Sequence, residues 1–251
     1  MRKRGGTWTG AVVLVTLLAA GCGGAAQDGG PSPAGGPPTP APDPLEQVVA
    51  ASEATLSARS ARFTMKVDVT GGGNTLTVLT GAGGMDYTAH VADMEMSVVR
   101  DPSTPPQRVR SVMIGNLLYQ RPAGQDRWFV LDAAAVGQAQ SDPAEQIRQF
   151  RTRARDVRDL GVAEVNGKAM RHYELTLSTP PMRVGAGAQA PTVDAHADLY
   201  LDDQGRFARL LTRTSTPTPN QVALMTMDLS DYGSPVSVQA PDPRLVESMP
   251  R

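Results

Sequence analysis

Hydrophobic and polar residues alternate with a period of two along most of the chain, the pattern of strands with one buried and one wet face. Phe63, Met65, Val67 and Val69 fall on one side of the first run; Arg62, Thr64, Lys66 and Asp68 fall on the other. After a turn at Gly71-Gly72-Gly73-Asn74, Leu76 and Val78 open a second run that Met85, Tyr87, Ala89 and Val91 continue, and Met94, Met96 and Val98 follow. Val112–Ile114 and Leu117–Tyr119 bracket Gly115-Asn116 as a hairpin, and Trp128–Leu131 reads as another strand. Asn166-Gly167 is a strong hairpin signal between a run ending at Val165 and one with Arg171, Tyr173, Leu175 and Leu177 on one face. Val193, Ala195, Ala197, Leu199 and Leu201 alternate up to a turn at Asp202–Gly205. Phe207–Thr214 returns from it, and Met225, Met227 and Leu229 close the set.

Two segments break this pattern with helix-start signals. Asp43-Pro44-Leu45-Glu46 places Asp at the N-cap, Pro at the first helical position and Glu three after the cap, with Leu45, Val48, Val49, Ser52 and Leu56 on one face. The same grammar recurs at Asp142-Pro143-Ala144-Glu145, where Ile147, Phe150, Ala154 and Val157 mark a buried stripe and Arg148, Arg151, Arg155 and Arg158 the opposite face. That arginine row reads first as a solvated face and second as a contact for anionic headgroups. About ten antiparallel strands and two helices make an α+β domain with one large curved antiparallel sheet. A one-sided apolar sheet needs a cover, and two helices leave part of it for a ligand. The residues expected to line that concave face are Phe63, Met65, Val67, Met85, Tyr87, Met94, Met96, Leu199, Met225 and Met227. The 15 residues Ser178–Thr192 are long for a hairpin connection, and Met182 and Val184 give them an apolar surface; they are the candidate flap at the rim.

Composition narrows the chemistry. Aromatics are 4% of the chain while Met occurs 11 times, compatible with a ligand-lined interior of flexible thioethers or with an ordinary Met-tolerant core. Formal net charge is −1; Arg2, Lys3 and Arg4 account for +3, so the remainder is near −4, which argues against nucleic acid. No Gly-x-Ser-x-Gly, His-Glu-x-x-His, phosphate loop or dinucleotide fingerprint occurs, and His90, His172 and His196 are scattered, each on a predicted strand. Asp194, His196 and Asp198 alternate on one strand and read as a polar outer face. The expectation is a non-enzyme without metal or cofactor.

The N-terminus sets the compartment. Met1-Arg2-Lys3-Arg4 is a basic n-region, Ala11–Ala20 an apolar run too short to span a bilayer, and Ala19-Ala20-Gly21 offers small residues ahead of Cys22, the one cysteine of the chain. Leu18-Ala19-Ala20-Gly21-Cys22 resembles the bacterial lipobox, with Ala where Leu is commoner three before the cysteine. Residues 1–21 are therefore expected to be a lipoprotein signal peptide, with Cys22 the lipidated residue. Residues 22–42, nearly all Gly, Pro, Ala, Ser and Thr after the cysteine, read as a disordered tether of roughly 25 Å as coil. Residues 43–251 suit one domain.

The order helix, meander, helix, then Gly161–Gly167 followed by His172-Tyr173-Glu174-Leu175, resembles the LolA-like superfamily and within it the actinobacterial LppX/LprG-type lipoproteins. Asn116-Leu117-Leu118-Tyr119 leading to Trp128, the strand and turn Asp198–Phe207, and the ending Asp231-Tyr232-Gly233-Ser234-Pro235-Val236 fit the same pattern. The resemblance covers residues 43–243 and rests on turn and strand phrases. It implies a half-open barrel, an open LolA-like antiparallel sheet closed by helices, that carries acyl chains and moves lipids or lipoproteins across the envelope. Together with the lipid anchor at Cys22, the expectation is a monomer on the extracytoplasmic face of the cell membrane with a lipid or other hydrophobic partner. The resemblance transfers no binding residue. The alternative is an envelope interaction or sensor module that binds another protein without lipid transfer.

Overall fold

The computed structural model describes residues 42–132, 142–178, 183–184, 188–189, 194–216 and 218–248. Residues 1–41, with Cys22 and the signal, and Met182 lie outside the described residues. Helix α1 (Pro44–Ser57) starts as its sequence dictates: the Asp43 carboxylate accepts the Leu45 N–H at 3.1 Å, with Pro in the first turn. Its buried stripe is Val48, Ala51, Ser52 and Thr55, flanked by Leu45 and Leu56. Strands β1 (Ser60–Gly71), β2 (Asn74–Asp86), β3 (Val91–Val98), β4 (Gln107–Ile114), β5 (Leu117–Pro122) and β6 (Trp128–Asp132) form a meander. Helices α2 (Pro143–Arg148) and α3 (Phe150–Arg153) lead into β7 (Ala154–Val165) and β8 (Lys168–Ser178). Two short strands, β9 (Arg183–Val184) and β10 (Ala188–Gln189), pair with each other inside the segment expected to be a loop. Strands β11 (Asp194–Leu201), β12 (Phe207–Ser215) and β13 (Gln221–Ser230) and, after a 3-10 turn at Pro243–Leu245, β14 (Val246–Ser248) complete the chain.

Twelve strands make one open sheet in the order β14-β6-β5-β4-β3-β2-β1-β13-β12-β11-β8-β7. Neighbours are antiparallel except β14, which runs parallel to β6. At one end of the sheet, the near end, lie Ser60, Asp86, Val91, Ile114, Leu201 and Ser230; at the other, the far end, lie Gly71, Asn74, Val98, Ser178, Asp194 and Gln221. One core joins the inner face to the helices: Val48 and Ala51 of α1, Ala144 and Ile147 of α2 and Phe150 of α3 pack with Phe63, Met85, Tyr173, Leu175, Leu199 and Leu229. Thr55 ties the cover to the sheet, donating to the Ala51 carbonyl at 2.8 Å and accepting the Phe207 N–H at 2.9 Å.

Three expectations are corrected. The second helix ends at Arg153, so Ala154, Val157, Arg155 and Arg158 belong to β7. A register shift between Arg155 and Arg158, with Asp156 at φ +50, leaves Ala154 and Val157 both in contact with the core although they are three apart. The bulge thus imitates helical spacing. Likewise β2 slips opposite Val67/Asp68: Leu79 faces Val67, Leu76 faces Val69, and Val78 is the extra residue, not part of the inner row. Finally, β2 stops at Asp86, whose carboxylate accepts the N–H groups of Thr88 and Ala89, both at 2.8 Å. Tyr87, Ala89 and His90 therefore sit in a turn, His90 at φ +57, and not on a strand.

The C-terminal segment has no counterpart in the sequence expectations. It leaves β13 at Asp231, crosses the outer face beside Arg62 and Gly84, and delivers β14 to the free edge of β6. Ser60 Oγ donates to the Ser234 carbonyl at 2.6 Å, and Arg127 pairs with Glu247 at 2.5 Å. Trp128 is buried beneath it, between Arg110 and Arg121, whose guanidinium carbons lie 5.9 and 4.8 Å from its ring.

Candidate functional site

Residues directly opposite in an antiparallel pair share a face, so the pairing register lays out the inner surface rung by rung. One rung runs Tyr173–Leu199–Leu210–Met227–Met65–Gly81–Met96–Val109. The next toward the far end runs Leu175–Ala197–Thr212–Met225–Val67–Leu79–Val98. Toward the near end, Leu229–Phe63–Gly83–Met94 are opposite one another, and Met85 pairs with Ala61 and Ala92. Nine of the ten expected lining residues therefore lie on one face. The tenth, Tyr87, sits in the turn after β2 but is buried in the same core.

Burial grades along this face. Phe63, Met85, Leu199 and Leu229 are buried under the helices, whereas Met65, Val67, Met94, Met96, Met225 and Met227 are only half-buried. The centre of the two rungs is thus a half-buried apolar surface floored by thioethers, here called the trough, with side chains flexible enough to fit irregular chains. Gly81 lowers its floor: a Cβ there would lie 3.4 Å from Met96 Cγ and 3.7 Å from Met65 Cγ. At Gly83 a Cβ would come within 2.2 Å of the Asp93 carbonyl, so no larger residue fits without displacing β3. Gly81, Gly83, Leu79, Leu210 and Thr212 were not among the expected lining residues. The signal for the glycines was their own period-two spacing, which continues the inner row after Leu79. Thr212 Oγ1 and Tyr87 Oη are buried without a hydrogen-bond partner among the described residues. Burial pushes the Tyr87 phenol well above its usual range, as it does Tyr232, so both stay protonated.

The outer face carries the charged side chains of the sheet in pairs. Arg110 chelates Asp93, Arg209 chelates Asp228, Arg158 meets Glu174, and Asp198 accepts both His172 and Arg213. His172 stacks on Tyr200 with centroids 4.3 Å apart. Asp198 thus belongs to an ion-pair ladder, with His196 and Asp194 on the same face of β11, and no group of three metal-ligating side chains forms among the described residues. A cleft of about 990 Å³ at the near end is lined by Lys168, Asp202, Arg206 and Asp228. Its lining mixes these charges with Met170, Leu229 and Tyr232, whereas the two inner rungs carry no charge at all, and they are the candidate site. Val184 lies in the short β9, Met182 outside the described residues. Among the described residues no helix is long and apolar enough to cross a membrane.

An open, mostly antiparallel sheet with helices packed on one apolar face defines the class, and one solved structure shares it. The lipoprotein LppX of Mycobacterium tuberculosis is similar with a TM-score of 0.52 at 13% identity over 78% of this chain and 98% of its own. LprF of Mycobacterium bovis aligns with a TM-score of 0.49 at 14% identity over 80% of this chain and 98% of its own. A LolA superfamily protein of Nitrosomonas europaea aligns with a TM-score of 0.31 at 10% identity over 81% and 97%. The chain has the fold of LppX. No family model and no curated protein matches it by sequence.

Proposed function

We propose that this protein is a membrane-anchored envelope lipoprotein that binds or carries a lipid or other hydrophobic molecule in the trough between its sheet and its helices. The observation that carries the reading is the half-buried row Leu210–Met227–Met65–Gly81–Met96 beside Met225, Val67 and Leu79. A row of that length left part-exposed costs free energy that covering by an acyl chain recovers, at about 25 cal/mol per Å². No charged side chain stands on those two rungs, so the trough favours apolar chains over ions. Cys22, lipidated after removal of residues 1–21, holds the chain on the extracytoplasmic face, and residues 23–42 let the domain stand clear of the headgroups. The domain works as a non-enzymatic monomer without cofactor.

Titration with a fluorescent fatty-acid probe tests this. The protein should bind the probe saturably. Gly81→Leu, which would fill the floor between Met65 and Met96, should weaken binding about tenfold or more, roughly 1.4 kcal/mol, with little change in melting temperature. Equal binding by the two proteins would place the probe elsewhere and refute the trough.

A further inference from the structure

Two neighbouring hairpin tips at the far end of the sheet carry no charge. From Val69 to Leu79, across the β1–β2 turn, and from Thr214 to Met227, across the β12–β13 turn, there is no Asp, Glu, Lys or Arg, in a chain that is 20% charged. The tips lie side by side: Gly71 pairs with Asn74 on one side and Gln221 on the other, and Thr70 with Thr75 and Val222. Each presents a large exposed apolar side chain, Leu76 at 39% and Val222 at 42%. Leu76 faces Val69 on the inner side and Val222 faces Thr70 on the outer side, so each face of this uncharged rim carries one exposed apolar side chain.

On β1, β3 and β13 the inner face is also less buried toward this end. Along β1 the inner residues pass from buried Phe63 to half-buried Met65, Val67 and Val69.

We propose that the paired tips are the surface through which the domain meets a lipid bilayer. Uncharged Gly, Thr, Ser, Asn and Pro with a Leu and a Val can sit at the headgroup boundary, where an unpaired charge would be costly. Contact there brings the less buried end of the inner face against the lipid. The role rests on the carrier reading, but the contact itself is measurable without a trough ligand. It differs from docking through Arg148, Arg151, Arg155 and Arg158, which would need anionic lipid and fade with salt.

The experiment uses the full chain with Cys22→Ser and a single new cysteine, Leu76→Cys, Val222→Cys or Leu117→Cys, labelled with an environment-sensitive fluorophore and mixed with phosphatidylcholine vesicles. Leu117 is 40% exposed at the near end and reports approach by any other route. Labels at 76 and 222 should brighten about twofold or more and shift to the blue as they enter the interface, at low and high salt alike, while the label at 117 stays unchanged. Silent labels at 76 and 222, an equal response at 117, or a response that requires phosphatidylglycerol would each overturn the proposal. A rim response from a protein that takes up no fatty-acid probe would keep the docking surface and remove the carrier reading.

Discussion

Thr55 shows how much one side chain holds in this fold. Its hydroxyl is fully buried and spends both its donor and an acceptor, the first on its own helix and the second on the backbone of Phe207 at the start of β12. Thr55→Val keeps the volume but leaves that N–H unpaired in the core. The expected cost is about 1–3 kcal/mol, read as a lower urea midpoint with an unchanged slope. A neutral substitution would mean that the helix is held by apolar packing alone. Asp159 makes a pH-dependent contribution. The Arg171 guanidinium and then the Gly161 N–H, both beside its carboxylate, hold it below the usual carboxylate range. A depressed folded value stabilises the protein above the ordinary range near 4 and loses that contribution as pH falls through the folded value. Asp159→Asn should therefore be less stable than the parent at neutral pH, and the gap between their melting temperatures should close on acidification toward pH 2. A gap that stays constant would refute the pairing.

At the scale of elements, legibility followed how much of the signal was local. Asp43-Pro44 and Asp142-Pro143 set helix starts through contacts two residues long, and both carboxylates cap as expected, Asp142 taking the Ala144 N–H at 2.9 Å. Asn166 and Gly167, at φ +52 and +75, make the expected hairpin turn. Faces were legible because period-two alternation is enforced wherever one side packs on helices, which is why Phe63, Met65, Met96, Leu199 and Met225 emerge on one surface. Bulges were illegible because they depend on the partner strand: Ala154 and Val157 read as helical, and Val78 was assigned to the wrong row. Strand β14 was hidden for a similar reason. Three residues after a proline-rich run have no pattern, and their strand identity comes from the edge of β6. Removing Pro243–Arg251 should uncover Trp128, the only tryptophan beyond Trp8, and shift its emission to the red with a lower melting temperature. Unchanged emission would mean that Arg110 and Arg121 shield the ring by themselves.

For the whole molecule, the central question is what the open sheet holds. The fold alone, shared with LppX at 13% identity, does not choose a ligand. The choice comes from the residues: a thioether-floored trough without charge on its central rungs, buried where the helices cover β8 and β11 and half-buried along β1, β3 and β13, beside uncharged tips. Such a surface should not remain bare in a cell full of lipid. Native mass spectrometry of the full protein, extracted gently from bacterial membranes, is the most direct measurement. The account predicts a bound lipid that dissociates as one mass in the wild type and is much reduced in Gly81→Leu. A wild-type protein that carries no lipid, or a Gly81→Leu protein that retains the wild-type load, would contradict it.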